Sequence, residues 1–334
     1  MLPYYLLEIL AMTRSLLNHI LVRVLPIGYN FKNKPFGEWV IITGATDGIG
    51  LSFAKCFAEF GNKILLISRS EQKLQKVQQQ LVSNYKTEVD YRVYFLNFDK
   101  SFFHDIFNVY TLYLQIDFSL PAATYIDRLR SKLHETRPDG CSISDSIAIL
   151  INNVGQLPYA YDTLTEAIQR AEIANPNKRF SEIFETSINI NCMSQMAMTA
   201  EIMELMRNKQ TESRKKGAIL SLSSYTGRTP CPFWVGYTAC KGLNAAFSDS
   251  LARETGLLAN DIIFTTIHPM EVSTSMSGAK WKDQYPIRCP PSDTYVKSAV
   301  KLIGVEQKIS GWWAHDIRER INRFIGNIGL YPCF

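Results

Sequence analysis

Short apolar runs alternate along the chain with longer segments whose apolar residues recur every three or four positions. The runs Trp39–Thr43, Lys63–Ser68, Ile147–Ile151, Ala218–Leu222 and Asp261–Ile267 read as strands. Continuous apolar content, without polar alternation, suits strands buried on both faces of a parallel sheet. After Gly50, residues Phe53, Cys56, Phe57 and Phe60 fall on one side of a helix. Pro121–Leu133, Ser187–Met206 and Leu243–Leu258 read as further helices. Pro291–Phe334 reads as helices with Trp312 and Trp313 between them. Strands alternating with helices predict an α/β domain built on a doubly wound parallel sheet. No repeat or low-complexity linker divides residues 37–334, so a single domain is expected, with its C-terminal part as a substrate-side extension.

Two stretches depart from this alternation. In residues 1–36, Leu6, Leu10, Leu17, Ile20, Leu21 and Val24 recur near helical spacing, while Glu8, Arg14, Asn18, His19 and Arg23 interrupt the run. A membrane span needs about 18 uninterrupted apolar residues. The pattern predicts an amphipathic helix ending at Pro26, either packed on the domain or lying on a membrane surface. The second stretch is Val93–Gln115, where eight of 23 residues are Phe or Tyr and where Ala, Gly, Pro, Arg and Glu are absent. Its ends can be encoded by gtatat and tatttacag, so it reads as a translated, retained intron or as a real apolar insertion. Removing it joins Tyr91-Arg92 to Ile116-Asp117-Phe118, a third strand with an acid at its end.

Composition narrows the function classes. The 334 residues are 46% hydrophobic and 20% charged, as in a core-forming globular protein. A net charge of +5 without a basic tract gives no sign of nucleic-acid binding. Seven cysteines with no CxxC pair, and five scattered histidines, argue against a disulfide framework and against a metal site. A reducing compartment facing the cytosol is expected.

The first strand runs into Gly44-Ala45-Thr46-Asp47-Gly48-Ile49-Gly50 and then a helix. Glycines let the backbone approach a pyrophosphate, and a helix N-terminus offers free N–H groups and the positive end of its dipole. The spacing differs from G-x-G-x-x-G, and a tight structural turn is the other reading of these glycines. In a strand–turn–helix–strand context the turn points to dinucleotide binding in a Rossmann-type sheet. The second strand ends Ser68-Arg69-Ser70, with no acid before Glu71. A carboxylate there would grip a ribose 2′-hydroxyl, whereas Arg suits a 2′-phosphate, so the charge favours NADP(H). Asn152-Asn153-Val154-Gly155, at the end of another strand, would present backbone to the same cofactor.

Candidate chemistry lies in Ser221–Lys241. Tyr237 and Lys241 are four residues apart, hence on one helix face, unless they are an ordinary surface pair. None of the other fifteen tyrosines has a Lys at that spacing. Lowering a phenol's pKa from about 10 by three units takes roughly 4 kcal/mol. A cation at about 4 Å supplies that order of energy at an effective dielectric of about 20, with burial opposing it. Ser224 would then hold a carbonyl oxygen while Tyr237 moves the proton. The polar segment Glu271–Tyr285 reads as a flap, and Trp234, Trp281 and the residues around Met276 as candidates to line an apolar pocket.

TGATDGIG (Thr43–Gly50), NNVG (Asn152–Gly155), Ser224 and Tyr237-x-x-x-Lys241 resemble, in this order, the short-chain dehydrogenase/reductase family over roughly Trp39–Met276. ISRSEQKL (Ile67–Leu74), ININ (Ile188–Asn191) and HPMEVSTSMS (His268–Ser277) are similar to its branch of microsomal steroid dehydrogenases and very-long-chain 3-oxoacyl-CoA reductases. The resemblance implies NADP(H)-dependent hydride transfer to or from a carbonyl or alcohol of a steroid or long-chain acyl substrate. Tyr237 would be the acid or base, Lys241 would hold the nicotinamide ribose, Ser224 would orient the substrate oxygen and Asn191 would support a water relay to the Lys. Cofactor contacts would come from Gly44, Thr46, Asp47, Gly48, Ile49, Gly50, Arg69, Asp117, Asn153, Gly155, Tyr237, Lys241, Pro269 and Val272. The resemblance also implies endoplasmic-reticulum membrane association, and it admits a homodimer. A cofactor-binding scaffold without turnover is the competing function.

Overall fold

The computed structural model describes residues 36–85, 111–137, 140–157, 163–177, 179–208, 217–257, 262–278 and 287–327, with Leu10, Thr13, Arg14, Leu17 and Leu21. Among these residues the strands form one sheet in the order β3-β2-β1-β4-β5-β6-β7, every pairing parallel. The strands are β1 (Trp39–Thr43), β2 (Lys63–Ser68), β3 (Thr111–Gln115), β4 (Ile147–Asn152), β5 (Gly217–Leu222), β6 (Ile262–Ile267) and β7 (Lys308–Ile309). The chain winds outward from β1 to β3 and then returns to β4 on the other side of β1. Beyond the strands' C-terminal ends this reversal opens a crevice between two diverging crossovers, where such sheets bind ligands.

Every residue of β1, β4 and β5 is buried. Successive side chains alternate between two cores. Val40 and Ile42 pack with Phe53 and Phe57 of α1 (Gly48–Glu59) and with Tyr295 of α8 (Ser292–Val300). Trp39 and Ile41 belong to the opposite core, with Leu129 of α3 (Ile126–His134) and Met198, Ile202 and Met206 of α6 (Ser194–Asn208). A strand with a core on each face has no polar period to show, which is why these runs read as uniformly apolar. Full burial of each large side chain contributes about 1.5–3 kcal/mol.

Three sequence expectations change. The third strand is Thr111–Gln115, paired with β2 from Ile64↔Thr111 to Ser68↔Gln115, not the junction of Tyr91-Arg92 with residues 116–118. The last five residues of the stretch 93–115 therefore belong to the sheet, and β-forming Thr, Leu and Tyr fill an edge position there; residues 93–110 lie outside the described set. The helix expected over 187–206 is α5 (Phe180–Ile188), a π-turn (Asn189–Met193) and α6. The C-terminal part is not only helical, because β7 extends the sheet before α9 (Trp313–Asn327). The remaining helices are α2 (Glu71–Asn84), α4 (Leu164–Ala174) and α7 (Val235–Leu257). In the N-terminal stretch Leu10, Leu17 and Leu21 are helical, and Leu10 and Leu17 are exposed. No helix among the described residues is long and apolar enough to cross a membrane.

Candidate active site

The turn after β1 is shaped by what its glycines lack. Gly44 and Gly48 have φ of +64° and +52°, the left-handed region that glycine enters without a Cβ penalty. Gly50 has no room for a side chain, since a Cβ there would lie 2.3 Å from the Gly44 carbonyl oxygen and 2.4 Å from Asn153 Nδ2. Asn153 fills that place as a strut. Its Nδ2 donates to the Thr43 and Gly44 carbonyls at 3.0 and 3.1 Å. Thr43 Oγ1 accepts the amides of Asn153 and Val154 at 3.0 and 3.1 Å. Thr46 shares a 3.0 Å hydrogen bond with Ser68, tying the turn to the end of β2. Asp47 caps α1 through the Gly48 amide at 2.7 Å. The result is a pre-formed loop that brings the N-terminus of α1, at Gly48 and Ile49, to the crevice.

Across the crevice, β5 ends at Leu222 and Ser224 begins a 3-10 turn, Tyr225–Gly227. The start of α7 carries Tyr237, Cys240 and Lys241. The Ser224 hydroxyl lies beside the Tyr237 hydroxyl, near enough to favour its ionised form. The Lys241 ammonium lies 5.7 Å from the Tyr237 ring centroid and donates to the Leu222 carbonyl at 2.9 Å. Trp234 packs edge-on against Tyr237, with centroids 5.8 Å apart.

The electrostatics differ from the sequence expectation. Burial pushes the Tyr237 phenol up to about 12, and the neighbouring Ser224 hydroxyl offsets only part of that. Burial likewise pushes Lys241 down to about 8. Desolvation is the largest influence on both groups and outweighs the lowering expected from the neighbouring ammonium. Tyr237 is thus a proton donor over the whole neutral range, and Lys241 changes charge just above it.

Asn191 is buried in the π-turn, where the Ser194 amide bonds five residues back to the Asn189 carbonyl. The extra residue points its side chain at the loop after β4. Asn191 Oδ1 accepts the Gln156 amide and Nδ2 donates to the Ser187 carbonyl, both at 3.0 Å. Its own carbonyl accepts Asn244 Nδ2 at 2.7 Å, joining the turn to α7. A Cβ on Gly155 would sit 3.0 Å from Asn191 Oδ1 and 3.3 Å from Lys241 Nζ, so both groups flank this glycine.

A cleft of about 310 Å³ runs from the glycine turn to Tyr237. It brings together Gly44, Asp47, Gly48, Ile49, Arg69, Asp117, Asn153, Gly155, Tyr237, Lys241 and Pro269 of the residues expected from sequence. Thr46, Gly50, Val272, Ser224 and Asn191 do not line it; they shape it through the contacts above or from the core. Sequence reasoning missed Gln156, Leu222, Ser223 and Thr274 among the lining residues. Each is one to three positions from a residue that was singled out, so strand-end proximity was the signal available. Met276 lines the cleft, Trp234 flanks it, and Trp281 lies outside the described residues. Residues Glu271–Gly278 of the expected flap are described; Ser277 Oγ donates to the Val272 carbonyl at 2.8 Å, folding the segment into a turn over the glycine loop. Among the described residues no cluster of three or more His, Cys, Asp or Glu could hold a metal ion.

Comparisons agree with this architecture. The short chain dehydrogenase family profile matches residues 38–112 and 141–285. The very-long-chain 3-oxoacyl-CoA reductase of Mus musculus is 31% identical over 287 residues, covering 86% of this chain and 75% of that protein. The Homo sapiens enzyme of the same name is 29% identical over 282 residues, covering 84% and 73%. Among solved structures, a 7beta-hydroxysteroid dehydrogenase superposes with a TM-score of 0.62 at 18% identity, covering 90% of this chain and 95% of that one. A short-chain dehydrogenase of Sphingobium yanoikuyae in complex with NADPH gives 0.57 at 20% identity, covering 81% and 86%. At those identities the structures speak for the fold alone, while the profile spans both walls of the cleft. From the glycine turn to the flap, the chain belongs to the short chain dehydrogenase family and is an oxidoreductase of that family.

Proposed function

We propose that the chain uses NADPH to reduce the 3-keto group of a long-chain 3-oxoacyl thioester. The observation that carries the reading is that Tyr237, with Ser224 beside it, and Lys241 stand at one end of a cleft whose other end is the glycine turn and Arg69. The left-handed glycines, the side-chain-free Gly50 and Gly155, and the helix N-terminus fit a dinucleotide pyrophosphate passing close to backbone. Gly44, Gly48 and Ile49 would hold the pyrophosphate, Arg69 the 2′-phosphate, Asp117 the adenine side, and Gly155, Pro269 and Lys241 the nicotinamide side. The bound cofactor supplies hydride to the carbonyl carbon. Ser224 donates to the carbonyl oxygen and aligns it with Tyr237. The Tyr237 hydroxyl gives that oxygen its proton, leaving a phenolate beside the Lys241 ammonium. Charge on Lys241 is therefore worth most after the proton has moved, which gives a cation 5.7 Å from the ring a role without any lowering of the resting phenol.

The relatives named 3-oxoacyl-CoA reductases, 31 and 29% identical over most of the chain, support the acyl substrate over a steroid. Exposed Leu10 and Leu17 in the helical N-terminal stretch support contact with a membrane surface, for which the endoplasmic reticulum is the proposed site. The test is NADPH oxidation by the full chain with long-chain 3-oxoacyl-CoAs and with 17-ketosteroids. Acyl-CoA-dependent oxidation is expected. Turnover of ketosteroids alone would reassign the substrate, and NADPH binding without turnover of either would show a scaffold.

A further inference from the structure

Four side chains of α9 reach the two loops that carry the substrate side of the cleft. Glu319, only 1% exposed, accepts from Arg228 Nη1 at 2.9 Å on Oε1 and 3.1 Å on Oε2. Asn322 Nδ2 donates to the Tyr225 hydroxyl at 3.2 Å. Arg318 pairs with Glu271 at 2.7 Å, and His315 Nδ1 accepts the Met270 amide at 3.4 Å. The two loops are themselves joined, because the Tyr225 amide donates to the Pro269 carbonyl at 2.9 Å. Ser224, Pro269 and α9 thus close a triangle.

The Ser224 corner is the one that bears on chemistry. Ser224 and Arg228 are the two ends of a single 3-10 turn. The Thr226 amide donates to Ser224 Oγ at 3.3 Å and the Gly227 amide to the Ser224 carbonyl at 3.0 Å, so the hydroxyl's direction is set by that turn. The turn's far end is held by the Arg228 side chain. Glu319 in turn cannot swing, because Ser310 Oγ lies 3.1 Å from it and 2.9 Å from Asp316, donating into the pair of carboxylates. A buried ion pair is weak evidence for stability, since well-packed apolar residues of similar volume often serve as well. What apolar residues cannot reproduce is the direction set by one guanidinium nitrogen held between both oxygens of a fixed carboxylate.

We propose that Glu319 is a positioning residue for carbonyl reduction, acting through Arg228 to aim Ser224 Oγ at the Tyr237 hydroxyl. The proposal rests on the reading of Ser224 and Tyr237 as the pair that meets the carbonyl oxygen. It implies that α9, outside the nucleotide half of the sheet, sets the rate and not the affinity for cofactor.

The test compares Glu319→Gln and the double replacement Arg228→Met with Glu319→Leu against the wild-type chain. Four quantities are read: Tm, kcat and KM for NADPH-dependent acyl-CoA reduction, and hydrogen exchange of the amides over Tyr225–Thr229. The double variant is expected to keep Tm within a few degrees while kcat falls roughly tenfold, as small misplacements of a substrate-orienting group do. KM for NADPH should stay within about twofold, and exchange should quicken in that turn only. A variant with wild-type kcat and unchanged local exchange overturns the proposal. So does a loss of kcat that follows the loss of folded protein, which is what a purely structural pair gives. Exchange needs no substrate, so a wild-type chain that reduces none of the substrates defeats the proposed function while the brace is still decided by the exchange data.

Discussion

The two walls of the cleft are held in opposite ways. The wall at β1 and β4 is made of backbone, with glycines where side chains would collide and uncharged Thr43 and Asn153 as struts. The wall at β5 and α7, braced from behind by α9, buries ionisable groups: Lys241 at 4% exposure, Glu319 at 1% and His315 at 1%. A backbone wall resists change because every part is sterically determined. A wall of buried charges is tunable, and burial pushes Lys241 and His315 toward their neutral forms. Binding a nucleotide needs the first property, and moving a proton needs the second.

The largest expected effect breaks the chemical wall and spares the other. Tyr237→Phe should lower turnover by about 10³-fold with little change in NADPH affinity, measured by steady-state kinetics and fluorescence titration. Comparable loss of cofactor affinity would show that the division between the walls is wrong. Gly50→Ala attacks the backbone wall. Its Cβ would displace the Gly44 carbonyl or Asn153, so stability should fall by about 1–3 kcal/mol. NADPH binding should weaken by roughly 100-fold through a glycine loop no longer pre-formed. Next comes Arg69→Ala, which should weaken NADPH by about tenfold and leave NADH unchanged, since only one of them carries a 2′-phosphate.

The smallest effect concerns stability and pH. Lys241 is pushed down to about 8 from an unfolded value near 10.5, so between these pH values the unfolded chain binds more protons and stability rises with pH. Below about pH 8 the full desolvation penalty is present. Lys241→Met should therefore stabilise the fold by about 1 kcal/mol or more at pH 7, by denaturant melts, and this advantage should vanish by pH 10.5. Reduction by the wild-type chain should decline as pH rises through about 8, where Lys241 loses its charge while Tyr237 is still protonated. A variant no more stable than wild type at pH 7 would mean that the Leu222 carbonyl contact outweighs the desolvation.

Local signals made the backbone wall legible in the sequence. The run Trp39–Thr43 and the glycines that follow it are contiguous, and their geometry follows from residue type. The Tyr237 and Lys241 pair was legible because a helix fixes the four-residue spacing, and Ser224 because it follows the end of an apolar run. What the sequence hid was nonlocal. Nothing near Glu319 says that it will meet Arg228, 91 positions away. The third strand was misplaced because β3 is an edge strand with mixed burial, which carries little of the apolar signature of β1. The direction of the Tyr237 shift was missed because burial is a property of the packed molecule, not of a spacing.

The π-turn at Asn189–Met193 gives the chain one residue more than a straight helix would use. Excising that residue would let α5 and α6 fuse into an uninterrupted rod with a better ladder of backbone bonds, while swinging Asn191 by about 100°. The loop bearing Gly155 and Gln156 would lose its anchor. A protein improved only for endurance would iron out this kink, so the irregularity marks a spot where the best helix and the hold on the neighbouring loop make contrary demands.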